Sequence, residues 1–213
     1  LLHSINYFCH RSLLKIVAML EASKGQMMQI FTPPQKLLRG KSELAKDPKK
    51  MKAALDQMEK RFIQAIKRVR HPTGDHLSLL KIFDRFFELK AQKEEKAEQW
   101  AYENFIKTST LFKARKSYHR LKGRLSHIRI GEEEVLKADP TIVEWSVEER
   151  VLYCLYRGYR GQMATKIRNS EDYRIPFSDS FKAQLSDDTT LKDDPQRVMY
   201  HELFISTDQK QLN

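Results

Sequence analysis

The sequence predicts an α+β protein in which an all-α helical unit precedes a small β-barrel. Three observations carry this. Apolar residues recur at helical spacing through the first three-fifths of the chain. Short β-type runs separated by turn residues follow Gly158. An acid-rich stretch over 131–150 divides the two patterns, with seven Asp or Glu against Lys137 and Arg150.

Leu13, Ile16, Val17 and Leu20 mark the first helix, and Gly25 is its stop signal. A loop with Pro33 and Pro34 comes next. Residues 36–70 hold twelve Lys or Arg against four Asp or Glu. Met51, Leu55, Met58, Phe62, Ala65 and Val69 give that stretch one apolar helical face, with Asp47 and Pro48 at the N-cap and first helical positions. His71-Pro72-Thr73-Gly74 breaks it. Asp75 is expected to cap the next helix, whose apolar face is Leu79, Leu80, Ile82, Phe83, Phe86 and Phe87. A solvated helix or loop is expected over 90–98, and 100–106 is compact and aromatic. Residues 107–129 contain eight Lys or Arg and no acid. There Leu111, Ala114, Tyr118, Leu121, Leu125 and Ile128 form a buried stripe, while Lys113, Lys116, Arg120 and Arg124 form a cationic ridge on another face. After the acidic connector a short helix is expected over 146–156. Strands are expected over 162–168, 172–177, 181–185 and 197–206. The last places Met199, Leu203 and Ile205 on one face and Val198, Tyr200 and Phe204 on the other. The domains expected are therefore 1–130, 131–150 as connector, and 151–213.

A net charge of +11 points to a polyanionic partner, nucleic acid before an acidic membrane surface. The two cysteines, Cys9 and Cys154, form neither a metal-ligand spacing nor a disulfide framework, as expected of a reducing, intracellular setting. The apolar run over 1–20 is interrupted by His3, Asn6, His10, Arg11 and Lys15, so neither a signal peptide nor a membrane span is expected. No phosphate-binding glycine loop and no nucleophile triad stands out, so no catalytic residue is assigned. No metal site is assigned either; Glu132-Glu133-Glu134 belongs to the solvated connector. The ridge is the main functional signal, because Lys and Arg bind phosphates without sequence choice. A small barrel of the OB type would add a single-strand surface, with Arg157, Arg160 and Lys166 among Tyr153, Tyr156 and Tyr159 near its start.

Four stretches resemble one family. Ile16-Val17-Ala18-Met19-Leu20 is similar to the "TIVAMLS" helix of eukaryotic DEAH/RHA-type RNA helicases, and Gly74-Asp75-His76-Leu77-Ser78-Leu79-Leu80 to their "GDHLTLL". Trp100 with Tyr102-Glu103-Asn104-Phe105-Ile106 resembles "WCYENFI", and Val198-Met199-Tyr200-His201-Glu202-Leu203 resembles the start of "VVYHELVLTT". The order and approximate spacing agree across nearly the whole chain. The resemblance implies a helical ratchet domain followed by an OB-fold, both lining an RNA channel on an ATP- and Mg-dependent motor that lies upstream in the parent chain. No cofactor belongs to this stretch itself. The implied partners are single-stranded RNA, the motor domains and a glycine-rich (G-patch) activator; the implied setting is RNA processing, the nucleus ahead of the cytoplasm. The alternative is a stand-alone RNA- or protein-binding adaptor derived from such a helicase. Gly74, Asp75, His76, Trp100, Asn104, Phe105, Tyr200, His201 and Glu202 carry the motifs and are expected to be structural. RNA contact is expected from Lys113, Lys116, Arg120, Arg124, Arg157, Arg160 and Lys166. There are departures: Ser109 stands at an Arg position of the family, and "VYIHPSS" is poorly matched by 175–181. The chain begins with Leu and stops soon after Thr207, so an incomplete ratchet domain and a truncated OB-fold are expected.

Overall fold

The computed structural model describes residues 10–38, 47–125, 144–176, 181–187, 189–191 and 194–204. Cys9, Ile128, Asp139, the Glu132–Glu134 run and most of the expected connector lie outside the described residues. The helices are α1 (His10–Ser23), α2 (Pro34–Leu38), α3 (Pro48–Val69), α4 (Asp75–Gln92), α5 (Glu94–Glu103), α6 (Thr108–Leu125) and α7 (Val147–Gly158), with a 3-10 turn at Met27–Ile30. Four strands follow: β1 (Met163–Lys166), β2 (Tyr173–Arg174), β3 (Lys182–Ala183) and β4 (Arg197–Met199). The class is α+β.

Helix α1 is the centre of the helical part. Leu14, Ile16, Ala18 and Met19 have no solvent exposure, and the helix packs chiefly on α6 and α4. Its end is chemically determined. Gly25 takes φ +76, which costs a side-chain-free residue little, and its N–H bonds back to the Leu20 carbonyl at 2.8 Å.

The start of α3 follows from Asp47, whose carboxylate accepts from the backbone N–H groups of Lys49 and Lys50. Pro48 sits where its missing N–H is harmless. Only Ala65 and Val69 of this long helix are buried. Phe62 clips it to the core, edge-on to Phe31 and Phe105 with centroids 5.9 and 5.3 Å away. The remaining surface of α3 is wet and basic.

Asp75 does not cap α4. Gly74 is the N-cap, at φ +111, and Asp75 is the first helical residue. The cap position demands a backbone conformation that glycine adopts freely, and this releases the Asp75 carboxylate to reach elsewhere. The expected solvated stretch at 90–98 is two helices, broken where Lys93 adopts extended φ/ψ between α4 and α5.

After α5, Asn104 and Phe105 turn the chain. Phe105 has φ +58, accepts from Thr32 N–H at 2.7 Å, and is followed by an antiparallel bridge between Phe31 and Ile106. This turn ties the start of α6 to the loop after α1.

Ser146 and Glu149 form a reciprocal capping box at α7. Val151, Cys154 and Leu155 join the helical core, so α7 packs with the helices although the division at residue 151 assigns it to the β-rich part. The sheet has its own small cluster of Ala164, Tyr173 and Val198.

The sheet is antiparallel, in the order β3-β2-β1-β4. Thr165 pairs with Arg174 on one side and Arg197 on the other. Each of the four predicted strand regions contains a strand, but all are short. The sheet is open among the described residues, so the expected closed barrel is not formed by them. The predicted 197–206 strand stops at Met199. Tyr200 still donates to the Gln162 carbonyl, but the His201 carbonyl is taken by the Gln162 side chain and its ring by Tyr159. Leu203 and Phe204 are exposed rather than paired within a sheet.

Candidate nucleic-acid interface

The buried side of α6 is Thr110, Leu111 and Ala114, with Tyr118 and Leu121 packed against the core. Every charged side chain on the helix is cationic, and Lys113, Arg115, Lys116, Arg120, Lys122 and Arg124 are all exposed. The 3.6-residue period turns the apolar stripe inward and therefore holds the cations outward.

The predicted ridge is not uniform. Arg120 clasps Glu21 of α1, one guanidinium nitrogen lying 2.5 and 2.7 Å from the two carboxylate oxygens. That hydrogen bond, then one from Ser117, holds the Glu21 carboxyl below its usual range. Lys113 and Lys116 have no acidic partner among the described residues. Arg124 is exposed and near enough to contribute to the field at Glu21.

The structure also places residues that ridge counting missed. The Arg115 guanidinium lies 4.9 Å from the Phe87 ring centroid, and the Lys90 ammonium 5.0 Å from that of Phe112. Phe112 is 42% exposed. Its signal in the sequence is an aromatic residue off the apolar stripe, inside a helix without acids.

The candidates near the sheet divide differently. Arg157 and Arg160 are exposed. Arg157 donates to the Tyr153 hydroxyl at 3.3 Å and leans on that ring. Lys166 is half-buried, ion-paired with Asp194 and positioned over Tyr173. Its charge is spent inside the fold.

The motif residues meet one another. Asp75 bonds to Thr189 and Thr190. The His76 ring lies 5.5 Å from Tyr159 and 6.4 Å from His201, and Tyr159 and His201 share a 2.7 Å hydrogen bond. His76 Nε2 is sealed from solvent without a hydrogen-bond partner among the described residues; burial first, and His201 second, lower its pKa to about 4. Burial raises the pKa of the Tyr159 hydroxyl. A Cβ on Gly25 would lie 2.9 Å from a Glu202 carboxylate oxygen, and one on Gly74 3.8 Å from Leu191. Tyr200 packs against the small sheet cluster. Buried Asn104 donates to the Trp100 carbonyl at 2.8 Å, and Phe105 is in the core. Trp100 edges a cleft of about 450 Å³ with Arg68, Lys81, Asp84 and Glu88.

Among the described residues no group of three His, Cys, Asp or Glu gathers to hold a metal, and no helix is long and apolar enough to cross a membrane. A scan of the sequence against protein-family models finds no match.

Proposed function

We propose that this chain grips single-stranded RNA along the outer face of α6, as the C-terminal, non-catalytic region of a DEAH/RHA-type ATP-dependent RNA helicase. The observation that carries the RNA reading is the acid-free exposed face of α6, on which Lys113 and Lys116 project without acidic partners among the described residues. Exposed helices ordinarily mix signs, because opposite charges one turn apart stabilise them. A single-sign face gives up that stabilisation and attracts phosphates instead.

The helicase assignment rests on the four motif resemblances. Two of them meet through His76 and His201, where α4 reaches the chain after β4. That arrangement supports a ratchet-like helical part joined to a partial OB-type sheet. Arg157, in the last turn of α7, and Arg160 just after it would add further phosphate contacts. ATP and Mg belong to the upstream motor, and a G-patch activator is a partner of the assembled enzyme.

The test is the salt dependence of binding to a labelled single-stranded oligoribonucleotide. Each lost phosphate contact lowers the slope of log K against log salt by about 0.7 on a single strand. Lys113→Ala and Lys116→Ala should each do so, and the double variant about twice as much. Slopes equal to the parent's would remove α6 from the interface. For the helicase assignment, the transcript upstream of Leu1 should encode Walker-type and DEAH-type motifs in frame. A start codon nearby with no motor would leave an RNA-binding adaptor.

A further inference from the structure

We infer that Phe112 and Phe87, with Arg115 and Lys90, form a stacking platform for the unpaired bases of a single strand. The inference rests on the RNA reading of α6 and adds a contact to bases where the ridge supplies only contacts to phosphates.

The platform is built on a rigid floor. Phe83 and Phe86 of α4 are buried at 4% and 1% exposure. Phe87 meets them at centroid distances of 4.7 and 5.1 Å. Phe112 crosses from α6 and stands edge-to-face on Phe86 at 5.8 Å and on Phe87 at 6.3 Å. The inner rings fix the outer ones, so little rotamer freedom remains to be lost on binding.

A single exposed aromatic residue needs no explanation. Here exposed Phe112 adjoins half-buried Phe87, and each ring has a cation positioned over it. Arg115 adds a planar guanidinium beside Phe87, and such planes stack on bases as aromatic rings do. Glu21 of α1 is held by Arg120, and the acids nearer the rings lie on α4 and α5. Lys15 pairs with Asp84, Arg85 with Glu88, and Lys90 with Glu94. None lies on α6, so Lys113, Arg115 and Lys116 give the face a positive rim. Aromatic surface inside a positive rim fits a strand with anionic backbone and unstacked bases, and fits an apolar protein partner poorly.

The experiment compares the full chain and its Phe112→Ala and Phe112→Tyr variants. Their ligands are a labelled single-stranded 12-mer, an abasic 12-mer with the same backbone, and a blunt RNA duplex. Stacking on alanine-sensitive aromatics predicts parent binding to the base-containing strand about tenfold tighter than to the abasic one. Phe112→Ala should close most of that gap with its salt slope unchanged, while Phe112→Tyr keeps it. The exposed position leaves the fold intact, which the thermal midpoint verifies. A gap absent from the parent, or one that survives Phe112→Ala, overturns the platform and leaves the ridge standing if the salt slope is still steep. Salt-insensitive, equal binding to all three ligands overturns both readings. If Phe112→Ala instead dissolves a dimer seen by sedimentation and leaves RNA binding unaltered, the face joins copies of this chain and the inference is wrong.

Discussion

Asp75 and Thr190, far apart in the sequence, are joined by two hydrogen bonds of 2.6 Å, from the backbone N–H and the hydroxyl of Thr190 to one Asp75 carboxylate oxygen. The other oxygen accepts from Thr189 at 2.9 Å, and Ser78 contacts the Thr190 hydroxyl at 3.1 Å. Thr190 is 2% exposed, so this is the inner part of the contact between α4 and the segment before β4.

Removing the acceptor strands the Thr190 N–H in a place water does not reach and leaves its hydroxyl only the Ser78 oxygen. Asp75→Ala is expected to lower the unfolding free energy by about 2–3 kcal/mol, the range for unsatisfied buried donors that had a charged acceptor. Asp75→Asn keeps one acceptor oxygen and should cost less. Urea unfolding of the three proteins orders them. A loss below about 0.5 kcal/mol, typical of surface positions, would mean that the Thr189–Thr190 segment does not dock on α4 in solution.

This contact shows which parts of the fold the sequence disclosed. Helical spacing and punctuation found α1, α3, α4, α6 and α7, though not the short α2, because the residues that set their limits act locally: Asp47, Pro48, Gly25 and Ser146. The Asp75 role was not legible. A carboxylate next to glycine looks like a cap from sequence, and its true partners are fixed by tertiary packing. The 197–206 strand was overextended for a similar reason: alternation continues through Phe204, but Gln162 and Tyr159 take His201 out of the ladder. At the candidate interface the sequence disclosed the cations and hid their pairing. Nothing local distinguishes Lys113, which faces solvent alone, from Arg120, which faces Glu21 on another helix.

Two glycines should respond to alanine with opposite signs. Gly25 holds φ +76 at the end of α1, where an L side chain is strained. Of its other obstacles, the exposed Glu202 carboxylate moves aside cheaply, whereas the His201 ring, 3.1 Å from the added Cβ, is held by Tyr159. Gly25→Ala is expected to destabilise by about 1–2 kcal/mol, and Gly25→Asn by less, since Asn tolerates the left-handed region. Gly123 lies within α6 with nothing within 4 Å of an added Cβ. Gly123→Ala should therefore stabilise by about 0.5–1 kcal/mol through helix propensity. Thermal unfolding checks both, and a loss at Gly123 would argue against α6 being helical there.

His76 makes stability depend on pH. Its folded pKa, about 4, lies below the ordinary 6.5, because burial and then neighbouring His201 oppose the cation while Asp75 favours it weakly. Between these values the unfolded chain binds a proton that the folded chain refuses. The contribution is thus complete above pH 6.5 and is lost as pH falls toward 4. Its size is roughly 2–3 kcal/mol, somewhat less than the shift alone implies because the ring is not fully enclosed. His76→Phe keeps a ring beside Tyr159 and His201, removes the titration and removes the unpartnered Nε2. It should be at least as stable as the parent at pH 7 and should flatten the slope between pH 6.5 and 4. Urea midpoints across that range decide; an unchanged slope would assign it to another group.

The Glu21–Arg120 pair predicts that the ridge can be strengthened by removing an acid. Both side chains are about half exposed, so the pair contributes little to stability, and breaking it should leave the melting temperature nearly unaltered. Its effect on binding is larger. Arg120 directs its guanidinium at Glu21 rather than outward, and the Glu21 carboxylate offsets part of the field that draws phosphates to α6. Glu21→Gln removes a negative charge and releases Arg120 toward the strand. Affinity for a single-stranded oligoribonucleotide should rise severalfold at low salt, and the salt slope should steepen by about 0.7, one added phosphate contact. Arg120→Ala in the native background should change the slope much less than Lys113→Ala does, because Arg120 is already neutralised. In the Glu21→Gln background the same substitution should remove the gain. Salt titrations of the four proteins give this cycle directly. Equal effects of Arg120→Ala in both backgrounds would mean that RNA displaces Glu21 without penalty, and that the ridge acts as four equivalent cations.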